Sequence, residues 1–430
     1  MALLLKNAHI IDPQIDLDCI GDIVVRDGVI VEVGKDLSIP KGQTRDMTGK
    51  IIVPGLVDMH VHLREPGFEL KEDIASGSRA AAHGGITAVC CMPNTDPVID
   101  SAAGVEFIQG RAREVGKCRV YVAGACTKQL EGTTLSEMGD MAAHGAVAFS
   151  DDGRGIQSAG MMRRVMDYAH QFNTTILSHC QDESLVGDGQ VNEGAVSTRL
   201  GILGWPAEGE ETQIARDIAL CRLTGTPLHI QHVSTAHGID LIRSAKAEGL
   251  PVTCEVTPHH LFLNEDMIGD DYDTALKVNP PLRTADDNAA LIAAVADGTV
   301  DCIATDHAPH TPWEKAREFE LAPFGMTGLE TSLGLVLTNL IHKGTIDYKR
   351  MIELMAVNPR SILGLDRVSI QQGDTADLTV FDPDMTWTVK AEDFASKASN
   401  SGFLGQKLRG RATDTYVSGY ATMEEGTVVE

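Results

Sequence analysis

The sequence has no long apolar run, no cysteine pair at metal-ligand spacing and no excess of basic charge. No uninterrupted hydrophobic stretch approaches the roughly 18–20 residues needed to cross a bilayer. The apolar start Met1–Leu5 ends at Lys6 without a small-residue cleavage site. Neither a membrane span nor a signal peptide is expected. The nine cysteines are scattered, without a CxxC pair, and Cys90, Cys91, Cys254 and Cys302 sit inside apolar runs. An odd number placed in this way reads as small buried hydrophobes in a reducing compartment, so a cytoplasmic location is expected. The formal net charge is −25. Such a surface repels phosphate backbones and anionic lipid, which argues against nucleic acid and membrane as partners. A small anionic substrate stays open, because a few local cations override the global field. Low-complexity sequence is scarce, and no internal repeat at solenoid periods is present.

What is there suits an ordinary globular protein: 43% hydrophobic residues and 42 glycines in 430 residues, enough for one large core or two modest ones. Through the middle of the chain, short β-branched runs alternate with amphipathic helical stretches. The strand candidates are 56–63, 86–92, 119–125, 146–150, 175–179, 228–233, 252–256 and 302–305. Helical periodicity fills the gaps at 73–83, 101–114, 161–172, 210–223, 239–247 and 284–296. Eight β units separated by helices predict an α/β fold, a closed parallel (β/α)8 TIM-type barrel. A doubly wound open sheet competes less well, since it lacks here the glycine-rich phosphate loop and usually has fewer strands. The ends read as short strands punctuated by turns: 3–11, 22–33 around Asp27-Gly28, and 51–53, then 369–370, 378–381, 386–389 and 415–419. Neither end has enough apolar residues to fold alone. Residues 1–54 and 365–430 are therefore expected to meet as one small β-sandwich beside a barrel spanning 55–364.

The most informative stretch is Asp58-Met59-His60-Val61-His62-Leu63-Arg64-Glu65-Pro66-Gly67. It follows an apolar run and ends in a Pro-Gly turn, so it is a strand running into a loop. His60 and His62, two apart, share a face of that strand. In a barrel that face points to the mouth where active sites sit. An HxH pair alone is weak, but further ligand types recur at later strand ends. His179 closes Thr175–His179, His232 lies in Leu228–Ser234, and Asp306 lies in Ile303–His310. Four imidazoles and a carboxylate from four strand ends form an N/O set suited to zinc, with manganese or cobalt as alternatives. His259-His260 beside Pro258 resemble a metal pair, yet neighbours on a strand face opposite ways. His307 is expected to support Asp306, and the remaining histidines to be structural.

HxH after the first strand, His after the fifth and sixth, and Asp after the eighth resemble the amidohydrolase superfamily. The strings DMHVHLREPG (58–67), MPNT (92–95), SDDG (150–153) and ATDHAPH (304–310) resemble the bacterial type I dihydroorotases, over essentially the whole chain. In many binuclear amidohydrolases a carbamylated lysine at the end of strand four bridges two metals. No lysine occurs here between Lys128 and Lys246. The resemblance implies that Asp152 takes this bridging role, with Asp151 as the alternative. If neither reaches, the remaining reading is one metal at His60, His62 and Asp306. Two Zn2+ per chain are otherwise expected, on His60, His62, Asp152, His179, His232 and Asp306.

The resemblance further implies reversible hydrolysis of L-dihydroorotate to N-carbamoyl-L-aspartate by a metal-bound hydroxide, in de novo pyrimidine synthesis. Asp306 is then the catalytic base. Arg64, two residues beyond His62, offers a guanidinium fork for the substrate carboxylate. By the same resemblance Asn94 and His310 join Arg64 at that carboxylate, His62 is a further substrate contact, and Asn279 meets the ring. The proline-interrupted stretch 308–328 resembles the family's loop over the site, with Phe324 and Gly325 offering backbone contacts. A homodimer is implied, and a complex with aspartate transcarbamoylase is compatible. The alternatives are a hydantoinase- or allantoinase-like cyclic amidohydrolase, and a non-catalytic subunit assembling with aspartate transcarbamoylase.

Overall fold

The computed structural model describes residues 2–430. Its centre is a parallel sheet of eight strands: Leu56–Val61, Ile86–Cys91, Arg119–Gly124, Ala146–Phe149, Thr175–Ser178, Leu228–Ile230, Val252–Val256 and Cys302–Ile303. Each pairs with its sequence neighbours, in order from first to eighth. Closure is made between the end of the first strand and the chain just past the eighth, by a parallel bridge of Val61 to His307 and a hydrogen bond from His62 N to His307 O of 2.9 Å. The result is a nearly closed (β/α)8 barrel.

The strand centres match the apolar runs, because strands covered on both faces read as continuous hydrophobic segments. Val89, Val122, Ile176 and Ile230 pack outward against Ile108, Met162, Ile214 and Ile239 of the surrounding helices. Those helices include Ile74–His83, Ala102–Val115, Ala159–Ala169, Glu208–Thr224, Ala236–Ala247 and Ala285–Asp297. Asp73, Ser158, Thr235 and Thr284 cap four of them with side-chain oxygens, as expected for orphan N–H groups in a first turn. The short helix Met138–Ala143 was not expected; with six residues it offers little periodicity to read.

The two ends of the chain form a separate nine-stranded sheet. Ala2–Asp12, Leu17–Arg26, Val29–Gly34, Gln43–Asp46 and Ile51–Pro54 come from the first end. Leu378–Thr388, Lys407–Val417, Tyr420–Glu424 and Thr427–Val428 come from the second. Ile51–Pro54 pairs antiparallel with Leu378–Thr388 and joins the two halves. Leu5, Ile10, Ile23, Ile52, Leu378, Val380 and Tyr416 share its core. The Asp27-Gly28 turn has φ of +50° and +85°, the pair of positive values a tight hairpin needs. Two expectations change. Residues 378–381 and 386–388 belong to one strand with an irregularity between Asp382 and Thr386, and Val389 lies just past its end. Ser369-Ile370 is not a strand, because the Asp12 carboxylate takes the Ser369 hydroxyl at 2.5 Å and the Ile370 N–H at 2.8 Å. Among the described residues no helix is long and apolar enough to cross a membrane.

Candidate metal centre and substrate cavity

At the C-terminal mouth of the barrel, the first strand delivers His60 and ends just before His62. His60 Nε2 lies 3.3 Å from Asp152 Oδ1 and 3.6 Å from Asp306 Oδ1. His62 Nε2 lies 2.9 Å from Asp306 Oδ1 and 3.6 Å from Asp152 Oδ2. His179 Nδ1 sits 2.8 Å from His232 Nε2 and 3.6 Å from Asp152 Oδ1. Two groups of ligand atoms, His60–His62–Asp306 and His60–Asp152–His232, each fall within 4.8 Å. Ligands held at about 2.0–2.2 Å around one tetrahedral ion stand roughly 3.3 Å apart. The N/O donors here have that spacing, so the donor set fits divalent metal in both chemistry and geometry.

Asp152 stands in the middle. Burial alone would raise its carboxyl, but the imidazoles of His60, His179 and His62 outweigh burial and hold it well below the usual carboxylate range. Asp151 faces elsewhere, accepting from the backbone N–H groups of Cys126 at 2.9 Å and Thr127 at 3.0 Å and from the Thr127 hydroxyl. Burial lifts its carboxyl to about 6. His232 is pushed well below the usual imidazole range by burial and by His179 and His60. Neutral imidazole is the form that coordinates metal.

One residue at this centre had not been anticipated. Glu255, buried in the seventh strand, takes His60 Nδ1 at 2.5 Å, His229 Nε2 at 3.2 Å and the His232 N–H at 3.3 Å. Burial would raise its carboxyl, yet His60 and His229 bring it down to about 2. A lone charged residue within Val252–Val256 was the available signal. His259 and His260 occupy a short helix, Pro258–Phe262, and not a strand; His260 Nε2 meets Pro280 O at 2.9 Å. His307 faces Glu72 at 3.4 Å and accepts from Gly328 N at 3.1 Å.

Above the centre lies a cavity of about 240 Å³, lined by His62, Arg64, Asn94, Asn279, His310, Phe324 and Gly325 together with Asp152, His179, His232 and Asp306. Every anticipated ligand and substrate-contact residue thus borders the cavity, except His60, which is fully buried beneath it. Arg64 Nε donates to Pro309 O at 3.3 Å, and its Nη2 lies 3.5 Å from His310 Nε2. His310 Nε2 pairs with Phe324 O at 2.7 Å. Asn94 places Oδ1 2.9 Å from His62 Nδ1 and donates from Nδ2 to Asp152 Oδ2 at 3.0 Å. Asn279 donates to Gln181 Oε1 at 3.0 Å, while its Oδ1 is buried without a partner. Gly325 has φ of +125°, and a Cβ there would meet the Ala308 Cβ at 2.6 Å, so only glycine fits. Three site residues also hold left-handed backbone, Arg64 at +62°, His232 at +32° and Asp306 at +47°. Such strain in non-glycine residues concentrates at functional sites.

Residues 49–238 match a family profile described as dihydro-orotase-like. The chain is 47% identical over 427 residues to the dihydroorotase of Geobacter sp. (strain M21), covering 99% of this chain and 100% of that one. It is 47% identical over 428 residues to the dihydroorotase of Pelotomaculum thermopropionicum, covering 100% of each. Among solved structures, L-hydantoinase (dihydropyrimidinase) from Arthrobacter aurescens is similar with a TM-score of 0.90 and 27% identity, over 100% of this chain and 97% of that one. D-hydantoinase (dihydropyrimidinase) from Thermus sp. follows at 0.87 and 26%, over 99% and 96%.

Proposed function

The chain belongs to the dihydroorotase family, and we propose that it interconverts L-dihydroorotate and N-carbamoyl-L-aspartate on two zinc ions held by His60, His62, Asp152, His179, His232 and Asp306. The observation that carries this reading is the pair of ligand groups sharing His60, with the Asp152 carboxylate facing His60, His62 and His179. The chemistry such ions supply when bound is acidification of a shared water, from a pKa of ~16 towards ~7, and polarisation of a carbonyl.

The chain's own side chains do the rest. Arg64, fixed through Nε on Pro309 O, keeps its Nη donors for the substrate carboxylate. Asn94 spends one amide proton on Asp152 and retains the other for that carboxylate. The unpaired Oδ1 of Asn279 suits a ring N–H. Asp306 directs Oδ1 at His62 and His60. Its Oδ2 takes a proton as water adds to the ring amide carbonyl, then passes it to the ring nitrogen as the C–N bond breaks. Ring closure moves the same proton back. Phe324 and Gly325 line the cavity beside His310 and place their backbone groups within reach of the substrate.

The hydantoinase-like reading shares the fold. The absence of a lysine between Lys128 and Lys246, where strand four runs on into Ser150-Asp151-Asp152, weighs against it. The full ligand set weighs against a non-catalytic subunit. A cytoplasmic setting accords with nine free cysteines, all but Cys19 buried. The test is turnover of dihydroorotate, hydantoin and allantoin before and after chelation. Dihydroorotate is expected to be preferred, activity to vanish on chelation and zinc to restore it. Preference for hydantoin or allantoin would overturn the substrate, and chelator-resistant turnover the metal.

A further inference from the structure

The carboxylate end of the cavity is made by two backbone segments, 308–310 and 325–327, joined by one backbone bond, Ala308 N to Met326 O at 2.9 Å, with the His310 ring on Phe324 O at 2.7 Å beside it. A third segment crosses both. Residues 394–403 leave the terminal sheet between strands Leu378–Thr388 and Lys407–Val417 and run over the barrel mouth. They are anchored on each side of Asn400. Upstream, Glu330 accepts the N–H groups of Ala395 at 2.7 Å and Ser396 at 3.3 Å. Glu72 accepts Lys397 N at 3.3 Å and the Ser396 hydroxyl. Downstream, Phe403 is buried in a cluster with Leu276 and Met326.

Between these anchors Asn400 uses its whole amide. Its Oδ1 accepts the His310 N–H at 3.0 Å. Its Nδ2 donates to Ala308 O at 3.3 Å and Gly325 O at 3.1 Å. Its backbone carbonyl accepts Thr327 N at 2.9 Å. An amide is the side chain of this size with one acceptor oxygen and two donor protons. Aspartate would keep the acceptor and set a carboxylate against two carbonyls; alanine would leave all three backbone groups unpaired.

We infer that Asn400 is a positioning residue, splinting the two segments so that His310 and Gly325 face the substrate carboxylate at a fixed separation. The inference rests on the reading that His310 contacts the substrate. Asn400 touches no ligand atom of the metal centre, so its loss acts on binding and leaves metal loading intact.

The experiment compares Asn400→Ala, Asn400→Asp, His310→Ala and the Asn400→Ala/His310→Ala double variant, by dihydroorotate kinetics, zinc content and thermal melts. Both Asn400 variants are expected to raise KM about tenfold with kcat within about threefold, the pattern of lost uniform binding, at unchanged zinc content. In the His310→Ala background the Asn400 effect shrinks, because part of it passes through His310. If His310→Ala raises KM and both Asn400 variants keep the wild-type value, the inference falls and the substrate reading stands. If His310→Ala itself leaves KM unchanged, the substrate reading fails and takes the inference with it. Parallel loss of kcat, zinc and melting temperature, or failure of both Asn400 variants to fold, would reduce the residue to a structural part and overturn the inference.

Discussion

The floor of the cavity stands on strand ends, whereas its rim hangs from loops tied down by distant parts of the chain. On the floor, His60 and Glu255 come from buried strands, and His62, Asp152, His179, His232 and Asp306 each lie within three residues of a strand's end. The barrel sets their separation, so ligand atoms meet at 2.8–3.6 Å, with Asn94 and Glu255 steadying them from the side and from below. The rim has no such frame. Lys277 Nζ donates to the carbonyls of Phe319 at 2.8 Å and Glu320 at 3.1 Å, and lies 4.5 Å from the Phe324 ring centroid. Lys315 Nζ donates to Pro323 O at 2.9 Å, and Gly325 N to Lys277 O at 2.8 Å. Floor substitutions should therefore change metal loading, and rim substitutions should change substrate binding or loop stability at constant metal content.

Asp152→Ala tests the floor with the largest expected effect. Removing the carboxylate that faces three imidazoles should cost at least one metal equivalent and lower kcat/KM by at least about a hundredfold. Elemental analysis beside dihydroorotate kinetics measures both. Unchanged metal content would shift the bridging role away from Asp152 and weaken the separation of floor from rim. Glu255→Gln is gentler, since it keeps size and removes charge behind His60 and His229. Outer partners of metal-bound histidines typically matter by about 10–100-fold in affinity. Zinc affinity, read by competition with a chelator, should fall by that order, with KM at saturating zinc near wild type. A rise in KM without loss of zinc affinity would place Glu255 with the rim.

The same division governs what could be read from the sequence. The barrel was legible because strands buried on both faces leave apolar runs at regular intervals, and His60, His62, His179, His232 and Asp306 were legible because each lies at the end of such a run. Asp152 emerged through a missing lysine and a resemblance, since nothing local separates it from Asp151; the difference lies in backbone N–H groups of Cys126 and Thr127 that capture one of the two. Glu255 hides in a strand whose pattern says only that it is buried. Asn400 is further out of reach. Its partners lie 90, 92 and 75 residues away in irregular backbone, where no periodicity links one segment to another. The two lysines of the rim look in sequence like ordinary surface charges.

Those lysines give the smallest prediction and the one specific to the rim. Burial lowers the Lys277 ammonium to about 8; burial, followed by the neighbouring Lys277 charge, lowers Lys315 to about 7. An unfolded lysine titrates near 10.4. Between those values the unfolded chain holds more protons than the folded one, so stability contributed by these groups rises with pH. Below pH 7 both states are protonated and the cost of burying the ammonium is borne in full. Lys315→Met removes one of the two titrations. The melting temperature of wild type minus that of the variant should therefore increase from pH 6 through pH 8 to pH 10, with zinc content equal throughout. A difference that stays flat, or falls, would mean that the Lys315 ammonium is solvated and does not clasp the loop, and the contrast between a framed floor and a tethered rim would then rest on Asn400 alone.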